Sequence, residues 1–238
     1  MLIDMHAHTG EISTCCKVGA KEIIDSLLDA EIDGIILTNH YTKSYIKDGT
    51  PKDFAEKYVT EYRRAREIGA SRGKRVFFGI EASMSLYRDA HILVYGVTEQ
   101  FILDNPEIYN LTQEELYKRV KAVGGYLVHA HPLRVSRGVE NYLFDFTLLD
   151  GIELNSHIKY NGPLCDKIFD LARRHGLFVT SGGDYHADTA RTRCGAFLPD
   201  CVQDSGEAVR HLIEASSARY LVEEPDGRIY ETVFKKDY

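Results

Sequence analysis

The chain has 238 residues, of which 44% are hydrophobic and 27% charged, and its formal net charge is −7. This length supports one substantial core and does not require a second domain, so we predict a single domain over residues 1–238. The acidic balance and the absence of a long lysine or arginine cluster argue against a nucleic-acid partner, because phosphate backbones are bound by a basic face.

Two further features of the composition concern where the protein works. No stretch approaches the roughly 18 consecutive apolar residues of a membrane helix, so no membrane partner is expected. The five cysteines are odd in number and lack paired zinc-ribbon spacing, which suits a reducing compartment better than a disulfide framework. We therefore expect a cytoplasmic protein.

The first predicted element is a strand over residues 2–8, with the sequence Leu-Ile-Asp-Met-His-Ala-His. Successive side chains of a strand point to opposite faces, so Asp4, His6 and His8 share one face. Two neutral imidazoles on one rigid face are half of a transition-metal site, which carboxylates and further nitrogens from elsewhere must complete.

Helices and strands alternate along the rest of the chain. Apolar spacing and capping signals predict helices at 20–32, from 51 towards 69, at 112–123, 163–176 and 207–215. Apolar runs predict strands at 35–37, 75–80, 92–97, 126–130, 151–155 and 177–180, and a hairpin at 219–234. This alternation indicates an α/β fold with a parallel sheet, either open and doubly wound or closed into a barrel.

Ionisable and amide side chains follow the predicted strands at the points where the strands end. They are His6, His8, His40, Glu81, His131, Asn155, Asp184 and His186. In α/β barrels the active site collects at the C-terminal ends of the strands. His91 instead begins its strand, and we predict that this strand runs antiparallel to the one ending at Glu81, so that the two side chains meet.

The candidate ligands number about twice the three or four that one ion takes, so a multinuclear centre is favoured. In such a centre a carboxylate bridges two ions. One ion lowers the pKa of a bound water to give a hydroxide nucleophile near neutral pH, and the others offset charge on the phosphoryl oxygens. The pattern therefore predicts hydrolysis of phosphate esters.

Six motifs in chain order resemble those of the PHP (polymerase and histidinol phosphatase) family. They are His6-Ala7-His8-Thr9, Thr38-Asn39-His40, Gly79-Ile80-Glu81, His91 to Gly96, Ala130 to Arg134 and Gly183-Asp184-Tyr185-His186. The resemblance spans residues 2–187 and implies a distorted (β/α)7 barrel with up to three zinc, manganese or iron ions. It also implies hydrolysis of phosphomonoesters or phosphodiesters, with the helix and hairpin at 205–238 closing or extending the barrel.

The resemblance further implies a ligand set in which one carboxylate is shared. His6, His8, Glu81 and Asp184 would hold the first ion, Glu81 would bridge to a second held by His91 and His131, and His40 and His186 would hold the third.

The sequence departs from the family pattern in two places. Asn39 stands where the family often has Asp, beside a ligand. The loop after the first motif contains neither the Asp nor the His that usually completes the third ion's shell. We assign Cys15 to that position because a thiolate suits zinc or iron, with Glu11 as the alternative.

Three residues are expected to act in catalysis. Asp184 is expected to take part in catalysis as well as in metal binding. Arg134 is expected to bind a substrate phosphate through two hydrogen bonds, and His157 to orient a leaving group. A surface salt bridge is the alternative for Arg134, and a loop hydrogen bond is the alternative for His157.

Together these features predict a metal-dependent phosphoesterase acting on a small phosphorylated metabolite, such as a nucleotide or histidinol phosphate. Two alternatives stay open: a metal-binding regulatory module whose hydrolytic activity has decayed, and an amidohydrolase-type enzyme acting on a substrate without phosphate.

Overall fold

The structure is a computed structural model that describes residues 1–47, 49–87, 90–136, 139–140, 142–157, 162–187 and 190–236. The strands in these ranges are β1 (Leu2–Ala7), β2 (Gly34–Leu37), β3 (His40–Tyr41), β4 (Arg75–Phe78), β5 (Ile80–Ser83), β6 (His91–Tyr95), β7 (Tyr126–His129), β8 (Val135–Ser136), β9 (Val139–Glu140), β10 (Gly151–Asn155), β11 (Phe178–Gly182), β12 (Gly195–Phe197), β13 (Ser217–Glu223) and β14 (Ile229–Lys235). The α-helices are α1 (Ala20–Asp29), α2 (Pro51–Ser71), α3 (Glu99–Asp104), α4 (Gln113–Ala122), α5 (Cys165–His175) and α6 (Ser205–Glu214).

Local side-chain chemistry sets the starts of two long helices. Thr50 and Asp53 form a capping box before α2, in which each side chain accepts from the other residue's backbone N–H. Thr112 and Glu115 form the same arrangement before α4, which confirms the predicted start of that helix. Both boxes satisfy backbone donors that the first helical turn leaves without partners.

The strands divide into two six-stranded sheets and a separate ribbon of β8 and β9. The first sheet has the order β14-β13-β12-β1-β2-β4, and the second has the order β11-β10-β7-β6-β5-β3. The α/β class is therefore confirmed, whereas a closed (β/α)7 barrel is not.

The break between the sheets falls where the chain crosses from one to the other. β4 and β5 are separated only by Gly79, and β2 and β3 only by residues 38–39. A Cβ at residue 79 would lie 2.8 Å from Thr38 Cγ2, so glycine permits a close approach here. On the other side of the fold, β1 meets the segment after β11 through one isolated bridge, Ala7 to Tyr185.

The predicted antiparallel relation between the strands of Glu81 and His91 is confirmed. β5 pairs antiparallel with β6, and Ser83 lies opposite His91. The turn between them includes residues 88–89, which lie outside the described residues. Glu81 itself is the second residue of β5 rather than the end of a strand, because the break at Gly79 starts a new strand just before it.

The C-terminal elements lie against the first strand. β12 pairs antiparallel with β1, β13 with β12, and β14 with β13. The hairpin therefore extends the first sheet, while the assignment of residues 1–238 to a single domain stays a prediction. Neither α3 nor β12 was predicted from the sequence.

β1 is buried along its whole length. Its flanking neighbours β2 and β12 cover its edges, and His6 and His8 are fully buried. No helix in the described ranges is both long and apolar enough to cross a membrane. The cytoplasmic location stays a prediction.

Candidate metal centre

Glu81 lies at the centre of the predicted ligands and is fully buried. Its Oε1 atom faces two histidines, with His91 Nδ1 at 2.7 Å and His131 Nε2 at 3.0 Å. The meeting of Glu81 with His91 follows from the antiparallel pairing of β5 and β6.

The other carboxylate oxygen of Glu81 faces a different set of histidines. Its Oε2 atom lies 3.3 Å from the Nε2 atoms of both His6 and His8, and 2.7 Å from His40 Nδ1. Because its two oxygens point to different groups, Glu81 has the geometry of a bridging carboxylate.

Asp184 faces the histidines of β1 and the segment that follows it. Its Oδ1 atom lies 3.0 Å from His8 Nε2, 3.4 Å from His6 Nε2 and 3.4 Å from His186 Nδ1. The backbone N–H of Asp184 donates to His6 O at 2.9 Å, which fixes the carboxylate beside β1.

Donor atoms within 4.8 Å of one another form three groups among the described residues. They are His6, His8, Glu81 and Asp184; His8, His40 and His186; and His40, Glu81 and His91. The first is the set that the PHP resemblance implies for one ion. The second and third groups have His40 in common, and the first and second groups have His8 in common.

Three buried atoms of this cluster lie close together, but none of their contacts within the described residues has hydrogen-bond geometry. They are His6 Nε2, His40 Nδ1 and Glu81 Oε2, with the carboxylate oxygen 3.3 Å from the first and 2.7 Å from the second. A buried polar atom without a partner costs free energy, and divalent cations would satisfy all three. The residues present therefore fit a metal centre, with imidazole nitrogens and carboxylate oxygens of the kind that zinc, manganese and iron accept.

The charges of the cluster are mutually compensating. Burial alone would raise the pKa of Glu81, but the surrounding histidines, His40 foremost, hold it well below its usual range. Burial lowers the pKa of His6, yet the carboxylates of Glu153, Glu81 and Asp184 outweigh that effect and raise it well above the ordinary value. Burial and the nearby Arg134 guanidinium lower the pKa of His131 to about 3.

Two site residues have strained backbones. His131 and Asp184 have φ angles of 31° and 49°, in the left-handed region that non-glycine residues rarely adopt. Such strain costs about 1–3 kcal/mol per residue and is concentrated at functional sites. A hydrogen bond from each backbone N–H, to Glu153 and to His6 O respectively, holds these conformations.

Asn39, the departure from the family pattern, organises the loop after β1. Its Oδ1 accepts from Thr9 N at 2.7 Å and Ser13 Oγ at 2.9 Å, while its Nδ2 donates to Thr9 Oγ1 at 2.9 Å. Ser13 Oγ in turn lies 3.0 Å from His8 Nδ1. An aspartate could not supply the Nδ2 donor, so the amide suits this loop.

Comparison with known proteins identifies the fold. The sequence matches no protein-family model and no curated protein sequence. Solved structures do match, and one is a two-domain protein from Bacteroides vulgatus containing a predicted PHP-like metal-dependent phosphoesterase. That match has a TM-score of 0.65 and 13% identity, and it covers 93% of this chain but only 64% of the other. The chain has the PHP-like fold.

Two further structures agree with this fold at similarly low identity. One, from Bifidobacterium adolescentis, is assigned as a metal-dependent phosphoesterase, with a TM-score of 0.54, 16% identity, and coverage of 89% of this chain and 95% of the other. The other is an amidohydrolase from Chromobacterium violaceum with bound sulfate and no metal. Its TM-score is 0.56 and its identity 18%, with coverage of 89% of this chain and 96% of the other.

Within the PHP-like fold, the loop after β1 places its two candidate ligands differently. Cys15 is an exposed residue. Partial burial of its thiol raises the pKa, but the neighbouring His186 and His40 side chains outweigh that effect and lower the pKa to about 5. Glu11 turns towards α2, where its Oε1 lies 3.0 Å from Arg64 Nη1. Cys15 is therefore beside the cluster, and Glu11 is paired elsewhere.

The two other predicted catalytic residues lie at the edge of the cluster. Arg134 Nη1 is 3.4 Å from His131 Nε2. His157 is buried, its backbone N–H donates to Asn155 Oδ1, and its ring centroid is 6.4 Å from that of His186. Their roles in catalysis stay predictions.

Two buried carboxylates next to the cluster received no role from the sequence, although Asp4 was placed on the face of His6. Glu153 on β10 contacts His6 Nδ1 at 2.8 Å, and Asp4 on β1 accepts from the backbone N–H of Gly183 at 2.9 Å. Asp4 shares the strand face of His6 by period two, which was the available signal. For Glu153, the signal was an acidic residue inside an otherwise apolar strand.

Proposed function

We propose that the protein is a metal-dependent phosphoesterase that hydrolyses a small phosphorylated metabolite. The observation that carries this proposal is the division of the two Glu81 oxygens: Oε1 faces His91 and His131, and Oε2 faces His6 and His8. Two ions sharing a carboxylate are a recurring arrangement for phosphoryl transfer.

Bound divalent ions would supply a nucleophile by lowering the pKa of a bound water, and would offset charge on the phosphoryl oxygens. The chain's own residues hold the donor atoms in place and supply one further cation. Arg134 extends to the His131 side of the cluster. Its guanidinium is suited to donate two hydrogen bonds to a phosphate.

For a third ion we propose His40, His186 and Cys15 as ligands. The proximity of the thiol to both histidines supports this choice, and the pairing of Glu11 with Arg64 counts against the alternative. Thiolate ligation favours zinc or iron over manganese at this position.

A cavity of about 360 Å³ beside the cluster supports a small substrate. His40 and His91 form its metal-facing side, and its other walls carry the hydroxyl groups of Thr42, Ser44, Tyr45, Ser83, Ser85 and Tyr87. No described lining residue is a carboxylate, so an ammonium group such as that of histidinol phosphate has no counter-charge there. The hydroxyl lining favours a hydroxylated leaving group, such as a nucleoside or sugar.

An amidohydrolase reaction is the second candidate, because the fold matches the Chromobacterium amidohydrolase as well. A decayed regulatory module is less well supported, since the described cluster retains donor atoms in three groups.

The test measures metal content and phosphate release from a panel of sugar phosphates, nucleotides and amino-alcohol phosphates, beside a panel of N-acyl amino acids. His6→Ala and Asp184→Ala should each lower phosphate release by at least about 100-fold, since loss of metal charge stabilisation costs several kcal/mol. His175→Ala, an exposed histidine of α5, is the matched control and should retain activity. Unchanged activity in both cluster variants would refute the proposal, and amide cleavage without phosphate release would favour the second candidate.

A further inference from the structure

Glu153 is a buried carboxylate that touches two predicted ligands from different ion positions. Its side chain is 1% exposed, and its two oxygens contact His6 and His131 separately. We propose that Glu153 is a positioning residue that aligns the first and second ion positions together. This inference rests on the proposed metal centre, and none of the reaction steps above uses Glu153.

The contact with His6 fixes the ring. Glu153 Oε1 lies 2.8 Å from His6 Nδ1, so the carboxylate favours the tautomer with hydrogen on Nδ1. The same contact directs Nε2 to the point where Glu81 Oε2 at 3.3 Å and Asp184 Oδ1 at 3.4 Å converge, so an ion that displaces the Nε2 proton would meet all three donors together. A ligand held in this way is oriented and made more basic before an ion arrives.

The contact with His131 is made through the backbone. Glu153 Oε2 accepts from His131 N at 2.6 Å, and His131 has the strained φ of 31°. The hydrogen bond therefore helps to hold a conformation that places His131 Nε2 3.0 Å from Glu81 Oε1. Without it, the backbone is free to relax out of the left-handed region.

The surroundings of Glu153 hold its own side chain in one conformation. Asn155 Nδ2 donates to Oε2 at 3.1 Å. Gly182 on β11 lies so close that a Cβ there would be 2.9 Å from Glu153 Oε1 and 2.4 Å from His6 Cβ. Glu153 and His6 are thus packed together against the backbone of β11, and the pair has no room to separate.

Glu153→Gln tests this role, because an amide offers one acceptor and one donor where the carboxylate offers two acceptors. It cannot accept from both His6 and His131, so one of them loses its partner. We expect zinc affinity, measured by competition with a chromophoric chelator, to fall by about 10- to 100-fold. The visible spectrum of the Co²⁺-loaded variant should change as well, because the ligand geometry is altered.

Asp150→Asn is the matched control for loss of a structural carboxylate. Asp150 immediately precedes β10 and accepts from Leu127 N at 2.9 Å, away from the cluster. The Asp150→Asn substitution should lower the thermal stability of the metal-free protein but leave its zinc affinity unchanged. Equal zinc affinity in wild type and Glu153→Gln, or equal losses in Glu153→Gln and Asp150→Asn, would overturn the proposal.

A second variant keeps the test decisive if Glu153→Gln does not fold. Asn155→Ala keeps the carboxylate but removes the amide that restrains it, and zinc affinity should fall by less than about tenfold. No change in zinc affinity there would overturn the role of Glu153. A wild-type protein that binds no zinc, manganese or iron would refute the metal centre itself, which distinguishes the two failures.

Discussion

Arg191 and Asp4 form a buried ion pair next to the candidate metal centre, with Arg191 Nη2 2.7 Å from Asp4 Oδ2 and the arginine side chain only 4% exposed. The other oxygen of Asp4 accepts from the backbone N–H groups of His6 at 3.1 Å and Gly183 at 2.9 Å. The pair therefore joins β1 to the segment that carries Asp184.

Removing the arginine should destabilise the fold strongly, because the carboxylate would stay buried without its counter-charge. We expect Arg191→Met to lower the free energy of unfolding by about 3 kcal/mol. Urea denaturation of the metal-free protein measures this. Arg219→Met is the control, since Arg219 is 59% exposed in its pair with Glu231 and should contribute less than about 1 kcal/mol. Equal effects of the two substitutions would contradict a structural role for the buried pair.

A second prediction concerns pH and the buried Glu61 on α2. Burial, and next the neighbouring Glu11 carboxylate, raise the pKa of Glu61 to about 7. Between pH 4.5 and 7 the folded state therefore binds more protons than the unfolded state, so this stabilising contribution is present below pH 4.5 and is lost as pH rises through 7. The Glu61→Gln side chain cannot ionise. From pH 5 to pH 8 the free energy of unfolding of this variant should therefore rise by about 2 kcal/mol relative to that of the wild type.

Denaturant unfolding of both metal-free proteins at the two pH values measures this difference. Titrating groups that do not interact with Glu61 are common to both proteins and cancel in the comparison. Glu114→Gln, at a carboxylate that is 61% exposed on α4, is the control for the amide substitution itself. If the difference in free energy of unfolding between Glu61→Gln and wild type were the same at both pH values, Glu61 would be ionised throughout this pH range.

Much of the buried cluster could be predicted because its signals are local. The alternation of β1 and the residue after it places His6 and His8 on one face, and the connection between β5 and β6 brings His91 back to Glu81. The strand pattern also gave the α/β class. Such signals depend on residues close together in the sequence, and these are the relations that periodicity records.

The parts that were missed depend on contacts between distant residues. Glu153 and His6 are 147 residues apart, and Arg191 and Asp4 are 187 apart. Nothing in the sequence near Arg191 indicates that its side chain is buried. The division into two sheets was missed for a different reason: the break at Gly79 is a single residue, and an apolar run continues across it.

The bridging geometry of Glu81 predicts a severe effect of Glu81→Gln. The substitution replaces an anionic oxygen with an amide nitrogen on one side, so one histidine group loses its shared carboxylate ligand. We expect bound metal to fall by at least one ion and phosphate release to fall by at least about 100-fold. Metal analysis and a phosphate assay measure both, with Glu61→Gln as the buried-carboxylate control. Full activity with full metal content would exclude a bridging role.

The position of Cys15 predicts its effect on metal content. Cys15→Ala should lower the zinc bound per chain by one ion, because the proposed third ion position loses the thiol beside His40 and His186. Glu11→Gln should leave that number unchanged, since Glu11 is paired with Arg64. Loss of an ion in Glu11→Gln but not in Cys15→Ala would reverse the assignment.

The sharing of Glu81 also bears on the order of metal loading. Both oxygens of this fully buried side chain already contact histidines, so the carboxylate is ordered before any ion binds. An ion at one position adds positive charge close to the other and draws on the same carboxylate, so the second ion should bind more weakly than the first. A calorimetric titration should therefore show two separate binding steps, and at limiting metal concentration activity would lag behind metal binding.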